Sequence, residues 1–184
     1  MPQISTIVRN FIINRMLDTN TGFNYWLPTV ASDPAYENAG GPFTLVARNN
    51  LFRGAYTHSQ LLGTFNTPSY PLVIIYTPDA STPSPAMNVT TSEFSGVVRT
   101  RLDWISGFST SAPPVDPDST LDMIEDAMIE TFNRSDYYGI APPGTTYNGE
   151  MTEVRGALSD TSGGPNWIQI SRWDILFRQV SYGR

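Results

Sequence analysis

Residues 94–106 read FSGVVRTRLDWIS, and the fold turns on this stretch. In an extended chain Val98, Thr100, Leu102 and Trp104 fall on one side, and Arg99, Arg101 and Asp103 on the other. Alternation with a period of two is the pattern of a half-buried antiparallel strand, one face on a core and the other on water. Just upstream, residues 71–77 (PLVIIYT) form an unbroken apolar, β-branched run closed by Pro78 and Asp79, the signature of a buried strand. A proline-rich turn, STPSP at 81–85, lies between them, so the two runs read as neighbouring strands joined by a long loop.

Helical periodicity flanks this block. Ile4, Ile7, Val8, Phe11, Ile12 and Met16 recur at three- and four-residue spacing, which predicts an amphipathic helix over 4–18 laid on the core, with Asn20 and Gly22 as stop signals. Leu121, Ile124, Met128 and Phe132 predict a second helix over about 120–133, with Ser119 and Asp122 as a variant capping box. Between these helices, residues 20–70 are punctuated by Pro28, Pro34, Gly40, Gly41 and Pro42 and read as an elaborated loop with one or two short elements. FTLVAR at 43–48 is a candidate short strand. Residues 139–150 read as a turn-rich loop. Met151–Asp160 reads as a strand with Val154 and Leu158 inward. Residues 167–182 (WIQISRWDILFRQVSY) read as a closing strand whose apolar phase shifts between Ile170 and Trp173, as one bulge residue would cause. The expected fold is α+β: a single domain over 1–184, an antiparallel or mixed sheet with two main helices on one face, and long Pro/Gly-rich loops.

Composition narrows the chemistry. Of 184 residues, all 11 basic ones are arginine, and there is no lysine, no cysteine and one histidine, His58. These absences remove Schiff-base and P-loop chemistry, thiol nucleophiles, disulfides, zinc fingers and iron–sulfur sites. The net charge of −6 argues against binding nucleic acid by phosphate neutralisation. No stretch approaches the ~18 consecutive apolar residues of a membrane span. The N-terminal stretch does not read as a signal peptide, since Arg9 and Arg15 interrupt its spaced apolar residues. His58 reads as a polar loop residue. Asp116 and Asp118 fit helix initiation better than a cation site. Asn88 with Thr90, and Asn133 with Ser135, match the glycosylation pattern and carry no weight without a sign of secretion. No catalytic, metal or cofactor-binding residues are expected.

The charged residues with a plausible function are those of an interface. Arg99, Arg101 and Asp103 lie on the outer face of one strand, and Arg172 and Arg178 occupy the last strand. Glu125, Asp126 and Glu130 read as the solvated face of the second helix or as one half of a subunit contact, for which the four arginines are the opposite half, since arginine pairs bidentately with carboxylates. Reversing Arg99 and Arg101 together is therefore expected to weaken self-association more than folding.

Four segments carry a resemblance: ISTIVRNFIINRML; PLVIIYT followed by SGVVRTRLDWISG; STLDMIEDAMIETFN; and WDILFRQVSY. In pattern and order these resemble the tail terminator proteins of long-tailed bacteriophages, the family of the lambda tail terminator, over roughly a third of the chain. The resemblance implies a virion protein of the tail and neck, present in the host cytoplasm during assembly. It implies a homo-oligomeric ring, typically hexameric, that stops tail-tube polymerisation and joins the tube to the head–tail connector. It implies no catalysis and no cofactor. DNA would pass through such a ring without specific binding, as an acidic, lysine-free subunit permits. The long 20–70 segment departs from the family pattern and leaves a head-completion, connector or minor tail role open. A carbohydrate-binding module using Tyr137, Tyr138, Tyr147 and Trp167 is the reading from another class.

Overall fold

A computed structural model of the chain describes residues 4–39, 45–54, 71–77, 86–87, 93–109, 116–132, 145–155, 159–160 and 166–182. In chain order the elements are α1 (Ile4–Leu17), α2 (Phe23–Ala31), two 3-10 turns (Pro34–Tyr36 and Arg48–Asn50), β1 (Leu51–Arg53), β2 (Leu72–Tyr76), β3 (Ala86–Met87), β4 (Glu93–Ser109), α3 (Pro117–Phe132), β5 (Thr145–Arg155), β6 (Ser159–Asp160) and β7 (Asn166–Tyr182). The fold is α+β. One mixed sheet runs β1-β2-β4-β7-β5, with β3 on β4 and β6 on β7. Among the described residues, only the β1–β2 pairing is parallel.

The alternation in β4 separates two faces of this sheet. Leu102 and Trp104 join Val73 and Ile75 of β2 and Trp173 and Ile175 of β7 in the main core. The helices cover that side with Val8, Ile12, Ile13 and Met16 from α1, Phe23 and Leu27 from α2, and Met123, Ile124, Ala127, Met128 and Phe132 from α3. On the opposite, outer side Leu72, Ile74 and Ile105 form a smaller apolar cluster, flanked by half-buried Phe52 and Tyr76. The unbroken apolar run of β2 is thereby explained, because both of its faces are buried.

Among the described residues three helices occupy the covered face, one more than the periodicity predicts. The additional one, α2, carries Pro28 inside its nine residues. Proline there removes one backbone hydrogen bond and reads as loop punctuation. Tertiary burial outweighs it: Phe23 and Leu27 are fully buried, worth about 1.5–3 kcal/mol each. The Phe23 ring also lies 5.1 Å from that of Trp104. Gly22 sits at the α1–α2 junction, where a Cβ would come within 2.1 Å of the Arg15 carbonyl oxygen, so only glycine lets the two helices meet there.

The segment 45–48 is not a strand, because Asn24 takes its ladder bonds. The Asn24 amide donates to the Val46 carbonyl at 2.9 Å and accepts from the Val46 N–H at 2.9 Å, inside the protein. One side chain thus supplies both hydrogen bonds that a neighbouring strand would. Asn24→Leu preserves volume but strands both groups of Val46, and is expected to lower stability by about 2–3 kcal/mol in urea unfolding.

Other boundaries also shift. The cap of α3 is Asp116, three residues before Ser119: its Oδ1 accepts from the N–H groups of Asp118 and Ser119, both at 3.1 Å, and Pro117 begins the helix. The last strand carries no bulge against β4; their register is unbroken from Glu93–Tyr182 to Ser109–Asn166. The apolar phase shift in β7 follows from the sheet having an apolar cluster on each side: in one unbroken register Ile170 pairs with Ile105 of the outer cluster, whereas Trp173 pairs with Leu102 of the main core. The irregularity lies in β5, between Tyr147 and Met151, so part of the predicted 139–150 loop is strand. In the register Val154 stands opposite Arg172. Leu158, His58, Asn88, Thr90, Asn133, Ser135, Tyr137 and Tyr138 lie outside the described residues. Gly54, at φ 127°, ends β1: its N–H donates to the Ile75 carbonyl at 3.1 Å while its backbone adopts a conformation that L side chains disfavour.

Candidate interaction surfaces

Because β4 and β7 are in continuous register, two oppositely charged pairs sit directly across from one another on the outer face. Arg101 opposes Asp174, and Asp103 opposes Arg172. Each contact is bidentate. Arg101 donates from Nε to Asp174 Oδ1 at 2.7 Å and from Nη2 to Oδ2 at 3.0 Å. Arg172 donates from Nε to Asp103 Oδ1 at 2.7 Å and from Nη2 to Oδ2 at 2.9 Å. The sign alternates along each strand as well as across the pair, so the four groups form a ladder of two ion pairs. The Tyr76 hydroxyl of β2 reaches Asp103 Oδ2 at 3.4 Å. Burial, followed by the Asp103 charge, raises its pKa against the opposing effect of the arginines. Hydrogen bonding to Asp174 holds the Arg101 guanidinium in its charged form more firmly than usual, and Asp103 does the same for Arg172. The Asp103 side chain is only 8% exposed while that of Arg172 is 44% exposed, so the carboxylate is sunk beneath the guanidinium that reaches the surface.

Arg101 and Arg172, expected as one half of an interface, have carboxylate partners within the subunit. Their forks already hold Asp174 and Asp103. Arg101→Glu would set a carboxylate beside Asp174 and remove its partner. It is expected to cost about 1–3 kcal/mol of folding stability, read as a lowered Tm, so the double reversal of Arg99 and Arg101 would confound folding with association. Arg99 and Arg178 differ. Arg99 stands opposite Leu176, and Arg178 stands opposite Val97 on one side and Thr146 on the other. Among the described residues, none of these cross-strand neighbours is a carboxylate.

The second surface lies on the far side of the subunit. Asp118, Asp122 and Asp126 are exposed along α3, and Glu125 and Glu130 are half-buried beside them. The Tyr36 hydroxyl donates to Asp126, tying the first 3-10 turn to α3, and Asp33 caps that turn by accepting from the Ala35 N–H at 2.9 Å. The Tyr36 pKa is pushed well up, first by burial, then by the bond to Asp126 and the charges of Asp126, Asp122 and Asp33. Ile129, 36% exposed, is an apolar residue within this acidic face. The structure therefore groups Arg101, Asp103 and Arg172, places Arg99 and Arg178 farther along the same two strands, and keeps Glu125 and Glu130 on the other side of the sheet. Asp174 and Tyr76 were missed in the sequence, although the inward positions of Trp173 and Ile175 were enough to turn Asp174 outward.

Among the described residues no group of three His, Asp or Glu side chains is placed to hold a metal ion. None of the described helices is long and apolar enough to cross a membrane. No protein-family model matches the chain, and no curated protein matches its sequence.

Proposed function

We propose that this chain is a structural virion protein that assembles as a ring, hexameric in the manner of tail terminators, at the head-proximal end of a phage tail tube. There it stops tube polymerisation and joins the tail to the head connector. The observation that carries this reading is the separation of charge across a two-layer subunit. The outer sheet face bears a charge-balanced ladder of two ion pairs, Arg101–Asp174 and Arg172–Asp103, and the helical layer bears the exposed Asp118, Asp122 and Asp126 of α3, so one molecule presents a neutral polar face and an acidic one. Such a subunit is suited to contact its own kind and neighbouring tail parts through surfaces. The resemblance in the segments that form α1, β2, β4, α3 and β7 adds the tail context. An acidic, lysine-free subunit also has little grip on phosphates, which suits a ring that DNA traverses.

The test is a tube-growth assay. Adding the protein to polymerising tail tubes is expected to halt elongation and leave density on one end only. Continued growth with bare ends would reject the terminator role. Binding to DNA-filled heads in place of tubes would move the protein to the head-completion side of the neck.

A further inference from the structure

We infer that the two bidentate ion pairs between β4 and β7 select the register of this ladder, a choice that the apolar residues leave open. The inference is independent of the ring reading. Both strands are 17 residues long, and they pair along their whole length. A slip by one residue would turn every side chain of β7 to the opposite face and take Trp173 and Ile175 out of the core, so burial alone excludes it. A slip by two keeps the faces. In one direction it sets Leu102 opposite Ile175 and Trp104 opposite Trp173. All four belong to the main core, so the apolar pairing survives.

The charges do not survive it. In that slipped register Asp103 meets Asp174, Arg172 meets Ile105 of the outer cluster, and both guanidinium forks lose their carboxylates. In the opposite direction Arg101 meets Arg172. Like charges directly opposite one another in a sheet are destabilising. The Asp103 side chain is only 8% exposed, so water and salt screen it poorly from a second carboxylate. The order of the signs decides this. Arginine precedes aspartate on β4 (101, 103) and again on β7 (172, 174), so a two-residue slip in either direction brings like to like. With both arginines on one strand and both aspartates on the other, the same two pairs would form, but either slip would still match opposite charges. A partly buried ion pair that adds little net stability can act in this way, by penalising the alternative pairing.

Disulfide trapping reads the register, and a chain without cysteine keeps the background clean. Val97→Cys with Val180→Cys reports the slipped register, in which these positions stand opposite. In the native register they are diagonal, about 7–8 Å apart, beyond disulfide reach. Ser95→Cys with Val180→Cys reports the native register. Each reporter is placed in the wild type and in Arg101→Asp with Asp174→Arg, an exchange that keeps both ion pairs but collects one sign on each strand. The exchange is expected to raise the rate of slipped relative to native disulfide formation by about tenfold. A second comparison separates register from loosening. Arg101→Gln and Asp174→Asn break the same pair, but only Asp174→Asn removes the clash of Asp103 with Asp174, so only it is expected to speed slipped trapping. If the exchanged chain does not fold, this second comparison decides. A folded exchange variant that traps no faster than wild type would overturn the inference, and so would equal rates for Arg101→Gln and Asp174→Asn.

Discussion

Truncating Trp173 to alanine is expected to cost about 3–5 kcal/mol, enough to leave much of the protein unfolded at physiological temperature. Trp173 is 1% exposed and stands opposite Leu102 in the middle of the β4–β7 ladder, where it joins the core that all three helices share. Its indole Nε1 has no hydrogen-bond partner among the described residues, so part of the tryptophan's contribution is offset by a buried N–H without a partner there. Trp173→Phe removes that N–H with a smaller loss of volume and is expected to cost no more than about 1.5 kcal/mol. Urea unfolding followed by circular dichroism separates the two. Equal losses for Ala and Phe would show that the indole N–H is satisfied in solution.

Arg15→Met is expected to lower stability by about 2–4 kcal/mol although it replaces a charge with an apolar group of similar length. Arg15 is 6% exposed. It donates from Nη1 to Asp18 Oδ2 at 3.3 Å and Thr21 Oγ1 at 2.9 Å, and from Nη2 to the Thr21 carbonyl at 2.7 Å and the Thr131 carbonyl at 3.1 Å. One planar fork thus joins the end of α1, the turn into α2 and the last turn of α3, where a cation also suits the helix dipole. Methionine would leave the Thr131 carbonyl without this donor. Arg15→Lys keeps the charge but not the fork, and is expected to recover less than half of the loss. A lysine variant as stable as wild type would show that charge alone matters. Asp18 adds a pH dependence. Burial raises its pKa, but the Asn20 N–H, the Thr21 hydroxyl and N–H, and Arg15 outweigh it, and the net shift is downward. A folded pKa below the unfolded one means that the ionised group stabilises the fold above about pH 4. That contribution is lost as pH falls through the folded value. Asp18→Asn is expected to flatten this acid limb of the stability profile.

The main elements were legible because their periodicities are local. The α1 stripe, the apolar run of β2 and the alternation in β4 each encode which side is buried. The parts that escaped depend on distant partners. Helix α2 hides behind Pro28 and becomes readable only when Phe23 is seen against Trp104. The segment around Val46 has strand-forming residues, but Asn24, twenty-two positions earlier, satisfies its backbone. The phase shift in β7 looks like a bulge until the sheet is known to carry apolar clusters on both faces. At the candidate surface, the shared side of Arg101 and Asp103 followed from alternation. That Arg101 and Arg172 are occupied within the sheet required the register, which fixes Asp174 and Asp103 opposite them.

Electron microscopy of the purified protein in low-salt buffer, alone and with tail tubes, tests ring formation most directly. Closed rings of uniform size with a central hole, free in solution or seated on one end of the tube, are the expected result. Single 20.4 kDa particles at every concentration, with tube ends left bare, would contradict it.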